Sequence, residues 1–380
     1  MRDGAYNNKL YQIHVKDGYM KNLFSTRIGI VLVGGLIGII AVLLQYAGNP
    51  ANMGICVACF ERDIAGALGL HRAGVVQYLR PEIMGFVIGS FIVSLLVREY
   101  QPRSGSSTLI RFFLGVFAMI GALVFLGCPW RALLRLAGGD LNAVTGLAGL
   151  AVGISVGVLF LKKGFSLGRA YRTHRFSGWL MPAFMLALFL LLVFKVQFSE
   201  GGPIFFSEKG PGSMHAALGL SIAAGLVIGG LAQRSRFCTM GALRDVILAR
   251  DSHLLSGVAA LVVVAFIGNL VLGQFNPGLE GQPVAHSNHL WNFLGMALSG
   301  LAFALAGGCP GRQLILSGEG DMDAGVFVLG MIAGAAFAHN FALASSPKGP
   351  GTFGPAAVII GLVFCLVIGF TMRESMKGRS

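Results

Sequence analysis

The chain has 380 residues, 55% of them hydrophobic and 12% charged, with 56 glycines and a formal net charge of +13. A soluble domain of this length cannot hide so much apolar surface, so most of it must face lipid or other helices. The basic residues sit in short connectors between apolar runs and form no basic face interleaved with aromatics, which excludes a nucleic-acid-binding protein and points to membrane topology.

Residues 1–27 are polar and basic and run into the first apolar stretch without a small-residue cleavage pattern, so that stretch reads as a signal anchor. A run of about 17 to 25 apolar residues crosses the hydrocarbon core as a helix. On that measure ten spans are expected, at 28–48, 82–97, 109–127, 141–161, 179–196, 213–231, 253–273, 291–307, 324–343 and 355–371. The fold class is therefore an all-α polytopic membrane protein. Its expected parts are a cytoplasmic N-terminal segment (1–27), a first membrane repeat (28–196), a second (197–371) and a cytoplasmic tail (372–380). With the N-terminus inside, most of the 29 Lys and Arg fall in inner connectors and the outer connector 274–290 has none, which predicts that both termini are cytoplasmic.

The repeat is visible in its motifs. Cys56 opens a C-x5-R-D-aliphatic pattern with Arg62 and Asp63, and Cys238 opens the same pattern with Arg244 and Asp245. Gly-Cys-Pro-x-Arg occurs at 127–131 and at 308–312, and an Asp follows each cysteine by twelve positions, at Asp140 and Asp321. The two cysteine elements lie 72 residues apart in the first half and 71 in the second. Five spans per half is an odd number, so the second copy is expected upside down relative to the first, the inverted-repeat plan of secondary transporters. Cys56 and Cys128 then approach from outside, and Cys238 and Cys309 from inside.

The segments that carry these cysteines are too short to cross and read as re-entrant half-helices. Pro fits best at the first helical position, so Cys128 and Cys309 fall at N-caps, where free N–H groups and the positive end of the helix dipole suit an anion. Arg62, Arg131, Arg244 and Arg312 need partners in such surroundings, and Asp63, Asp140, Asp245 and Asp321 are the natural ones; a structural role for these pairs is favoured over ligand contact. Cys365 reads as a small buried hydrophobe. Cys59 makes C-x-x-C with Cys56, which fits a redox pair or metal ligands, but no second ligand pair with zinc spacing follows. His71, His215, His253, His286 and His289 look interfacial, while Asn269 and the His339–Asn340 pair read as interhelical hydrogen-bonding groups or pathway residues. There is no Walker motif, GxSxG or HExxH, and no metal or cofactor is called for.

The twofold Gly-Cys-Pro-x-Arg together with RSRFCTMGALRDVILARD at 234–251 resembles the YeeE/YedE family of bacterial inner-membrane sulfur transporters. GCPWRALLRLAGGD at 127–140 and the chain length are more similar to the YedE branch, associated with selenium metabolism, than to the thiosulfate-importing YeeE branch. The resemblance implies an hourglass-shaped protein of the bacterial inner membrane whose re-entrant loops bring cysteines to a narrow centre. It implies passage of a small sulfur or selenium anion from thiol to thiol along Cys56, Cys128 and Cys309, with Cys238 the counterpart of Cys56, and a cytosolic TusA-like sulfur-carrier partner. Cys59 is a departure from the pattern and leaves open which of Cys56 and Cys59 lines the route. Two other readings remain: a membrane thiol oxidoreductase using Cys56 and Cys59, and an accessory membrane protein of selenium-dependent enzyme maturation.

Overall fold

The computed structural model describes residues 23–196, 198, 202 and 204–373. Most of the N-terminal segment (1–22) and of the tail (374–380) therefore lies outside the described residues. Among the described residues there are fourteen α-helices, which fall into two series of seven. The first is α1 (Arg27–Tyr46), α2 (Val57–Ala67), α3 (Pro81–Leu96), α4 (Thr108–Phe125), α5 (Pro129–Ala137), α6 (Asn142–Lys162) and α7 (Leu180–Val193). The second is α8 (Leu218–Ser235), α9 (Thr239–Ala249), α10 (His253–Val271), α11 (His289–Ala306), α12 (Pro310–Gly318), α13 (Met322–Asn340) and α14 (Gly354–Thr371).

Among the described residues eight helical stretches are long and apolar enough to cross a membrane by length and composition, and three of them run on through a cysteine-bearing break. Two shorter apolar helices, Pro81–Leu96 and Ser177–Val193, complete the ten stretches expected from hydropathy. The chain is thus an all-α multi-pass membrane protein. The short helices match in length across the series: α2 and α9 have 11 residues each, α5 and α12 have 9.

Local chemistry explains the breaks. α4, α8 and α11 each end on a left-handed residue, Leu126, Arg236 and Gly307, and in each case a cysteine follows two positions later as the N-cap of the next short helix. Gly307 takes the left-handed turn at no steric cost, whereas Leu126 carries a Cβ there. Pro129 and Pro310 then sit where a missing N–H does no harm.

Packing runs between the series rather than within them. The most extensive contacts join α6 to α11 and α4 to α13, and α3 to α8 and α1 to α10. Exchanging the two series turns the first member of each of these couples into the second. The half-helices follow the same rule, with α5 against α10 and α12 against α3, and α9 against α6 and α2 against α13. Glycine lets these backbones touch: a side chain at Gly34 would collide with the Gly257 backbone, one at Gly85 with Gly225, one at Gly149 with the Phe293 carbonyl and one at Gly115 with the Phe327 carbonyl. Even the connectors are exchanged. The Asn276 and Gly278 N–H groups donate to the Gly138 and Gly139 carbonyls, and those of Gln101 and Arg103 donate to Glu319 and Gly320.

The outer surface carries the apolar residues that a lipid phase accepts. On α1, Leu32, Leu36, Ile39 and Leu43 are exposed along one stripe, while Ile30, Val33, Ile37 and Ala41 are buried. A short antiparallel ribbon, β1 (Arg103–Ser104) with β2 (Tyr171–Arg172), ties two connectors together.

Candidate functional site: two thiol pairs on four half-helices

All four mirrored cysteines are N-caps of the short helices, and the structure brings them together as two pairs. In the first series Cys56 Sγ lies 4.0 Å from Cys128 Sγ, and the Cys59 N–H donates to Cys56 Sγ at 3.3 Å. In the second the Cys309 N–H donates to Cys238 Sγ at 3.5 Å, and that sulfur also accepts from the Gly241 N–H at 3.2 Å. Backbone N–H groups of Ala58 and Arg131 face the Cys128 sulfur, and that of Arg312 faces the Cys309 sulfur. Each sulfur therefore sits among the unpaired donors of a helix start, where a soft anion finds both a polarisable neighbour and positive dipole ends. All six cysteines are free thiols and all are buried. Cys56, not Cys59, makes the contact with Cys128; Cys59 instead accepts from Arg131 Nη1 at 3.8 Å.

The charged frame agrees with the sequence reading at two arginines and differs at two. Arg62 pairs with Asp63 at 2.7 Å and Arg244 with Asp245 at 2.8 Å. Arg131, however, does not meet Asp140. It binds the carbonyls of Leu126, Asn52 and Pro283, so the left-handed turn before Cys128 is held by the helix that follows it. Asp140 pairs with Arg135 at 2.6 Å, because the turn at Gly138–Gly139 returns the Asp140 N–H to the Arg135 carbonyl and sets the two side chains side by side. In the second series Leu316 stands where Arg135 stands in the first, since the Asp321 N–H returns to its carbonyl. Asp321 consequently turns to Arg103 at 2.7 Å, and Arg312 pairs with Glu319 at 3.1 Å instead of with Asp321.

The two ends of the site are not alike. In the first series Arg62, Asp63, Arg80, Arg131, Arg135 and Asp140 are all buried, and Asp63 is shared by Arg62 and Arg80. In the second, a cavity of about 490 Å³ leads in to Cys238, which is 6% exposed, and is lined by Arg103, Arg234, Arg236, Arg244 and Arg312 with Asp245 and His253. Four carboxylates, Glu99, Asp245, Glu319 and Asp321, pair with these five guanidinium groups and leave a small positive excess at the opening, which favours small anions.

Several residues take places that the linear sequence does not announce. His71 and His286 are buried in the protein, and each engages a carbonyl through Nε2, that of Arg62 at 3.0 Å and that of Val124 at 2.8 Å. The fixed need of backbone carbonyls for partners outweighs the cost of burying a neutral ring. Arg80 is the second partner of Asp63, and Trp130 reaches from the first thiol pair to the second; neither is marked by a repeated motif. The His339 ring lies tilted against His71 with centroids 4.5 Å apart, and Asn340 donates to the Leu70 carbonyl, so this pair joins α13 to the loop after α2. Asn269 is buried within α10, and Cys365 is buried within α14. Among the described residues no group of three or more His, Cys, Asp or Glu is placed to hold a metal ion.

Comparison with curated proteins finds no match. Residues 234–370, which begin beside the arginine-lined cavity and take in Cys238, Cys309 and helices α9 to α14, match the model of the family described as sulphur transport. That match takes in 137 of the 380 residues, and over this part the chain is similar to the sulphur transport family, in line with the relatives to which the cysteine motifs pointed.

Proposed function

We propose that the protein carries a small sulfur- or selenium-containing anion, thiosulfate or a selenium compound, across the bacterial inner membrane through its two thiol pairs. The observation that carries this reading is the placement of Cys56 with Cys128 and of Cys238 with Cys309 at the N-termini of four half-helices. A neutral thiol is a weak donor with a polarisable sulfur, so a short series of them can pass a soft anion without holding it too tightly to leave. The arginine-lined cavity serves as the anion's vestibule at the Cys238 end, and the Arg–Asp pairs hold the half-helices in place.

In this reading the two series of helices are inverted repeats about an axis in the membrane plane, both termini are cytoplasmic, and the vestibule faces the cytoplasm. A cytosolic sulfur-carrier protein of the TusA type would take the anion there. The exchange of partners between the two series supports the duplication.

The test is uptake of labelled thiosulfate and of labelled selenium compounds by cells that carry the wild-type protein, Cys128→Ala or Cys309→Ala, at matched protein levels. The reading expects uptake to be lost in both variants. Uptake retained in both removes the thiol route. If Cys59→Ala alone abolishes activity and alkylation traps a cycling Cys56–Cys59 disulfide, the protein is a thiol oxidoreductase instead.

A further inference from the structure

Trp130, two residues after Cys128, reaches from the first thiol pair to the second. Its ring meets Phe237, the residue before Cys238, edge to face at 5.4 Å, and Phe86 at 5.9 Å. It also covers Gly311, two residues after Cys309: a Cβ added there would lie 2.8 Å from the indole Cε2 and Nε1. Gly311 is the repeat counterpart of Trp130, so one copy supplies the bulk and the other the room. Trp130 is 1% exposed, yet its Nε1–H has no hydrogen-bond partner among the described residues. The Thr239 hydroxyl, the residue after Cys238, is also buried and without a partner. Both groups approach the Cys309 sulfur, and neither meets it in normal hydrogen-bond geometry.

Two buried donors without a well-formed hydrogen bond are unusual, because each loses its hydration for little in return. They converge on one thiol, Cys309, from opposite halves of the chain. A sulfur atom accepts weakly, so these donors await a stronger acceptor than Cys309 itself. Oxygen atoms of the transported anion would satisfy them while its soft atom rests against the thiol. The indole N–H and the threonine hydroxyl are then placed to read the oxygens, and the ring to fill the passage when it is empty.

Resting on the transport reading above, we propose that Trp130 Nε1–H and Thr239 Oγ1–H form the oxygen-binding half of a central station at Cys309. The station selects an anion with both a soft sulfur or selenium end and oxygen atoms, such as thiosulfate, over a bare hydrosulfide. Trp130 and Thr239 are thus substrate-binding and specificity-determining residues.

The test is binding of labelled thiosulfate to the purified full-length protein, with hydrosulfide as the competing ligand without oxygens. Trp130→Phe keeps the ring and removes the donor; Thr239→Val keeps the shape and removes the hydroxyl. Loss of a hydrogen bond to a charged acceptor predicts weakening of thiosulfate binding by about 10-fold or more in each variant. Hydrosulfide should shift by much less, and Thr239→Ser should restore thiosulfate binding. Unchanged thiosulfate binding in both variants, or equal weakening of the two ligands, overturns the proposal, as does a wild-type protein that binds hydrosulfide but not thiosulfate. Thiosulfate bound with this pattern but not carried into proteoliposomes would refute transport and leave the station standing. Transport without the pattern would do the reverse.

Discussion

Replacing Asp63 by Asn removes the carboxylate that Arg62 and Arg80 share. Asp63 accepts from Arg62 Nε and Nη2 at 2.9 and 2.7 Å and from Arg80 Nε at 2.8 Å, with side-chain exposures between 0 and 3%. Asn keeps the volume but leaves two buried guanidinium groups without their counter-charge, which costs roughly 3–5 kcal/mol. Asp245→Asn is the matched control. It breaks the same R-D motif in the other half, but Arg244 and Asp245 are 32% and 25% exposed, where an ion pair is worth about 0–1 kcal/mol. With roughly 2 °C of midpoint shift per kcal/mol for a chain of this size, Asp63→Asn should melt about 6–10 °C below the wild type and Asp245→Asn within about 2 °C of it. The assay is thermal unfolding of the two purified variants in the same detergent. Equal losses, or a larger loss for Asp245→Asn, would refute the argument that burial separates the two motifs.

Other outcomes follow from the packing and from the vestibule. Gly153→Ala drives a methyl into the Ala297 carbonyl at the crossing of α6 and α11, and should lower stability by about 1–3 kcal/mol in the same melting assay, while Gly219→Ala, which meets nothing within 4 Å, should be neutral. Arg131→Lys loses the planar fork that binds the Leu126, Asn52 and Pro283 carbonyls, and should abolish transport by loosening the turn before Cys128 even where the protein still accumulates; unchanged uptake would deny that turn a role. Gly311→Ala should displace the Trp130 indole and slow uptake without lowering protein levels, read as a reduced maximal rate in cells. Glu319→Gln frees Arg312 beside the vestibule and should lower the anion concentration needed for half-maximal uptake by about 2- to 10-fold, an effect that high salt should erase.

The sequence was most legible where the governing interaction is local. Hydropathy placed the ten apolar stretches, and Gly-Cys-Pro marked the start of α5 and α12, because a proline at the first helical position and a preceding N-cap are written in adjacent residues. Arg62–Asp63 and Arg244–Asp245 are neighbours in the chain and pair as neighbours. What escaped notice depends on contacts between distant segments. Arg131 reaches Pro283 and Arg103 reaches Asp321 across exchanged connectors, so Arg131 ends on carbonyls and Arg312 on Glu319, outside the four aspartates that the motifs offer as partners. The replacement of Arg135 by Leu316 was the available signal that the second Asp would need another partner. The burial of His71 and His286 and their contacts with the Arg62 and Val124 carbonyls are likewise not written in any spacing. The Trp130–Gly311 difference stood within the repeated motif, but its meaning needed the two half-helices face to face.

On the proposed route a sulfur or selenium anion crosses the membrane by way of Cys128 and Cys309. The deciding measurement is uptake of labelled thiosulfate or reduced selenium species by purified protein in proteoliposomes. Saturable uptake by the wild type, absent from Cys128→Ala and Cys309→Ala, is the predicted result. Liposomes that stay empty with every anion offered, or that fill equally well without both thiols, would contradict it.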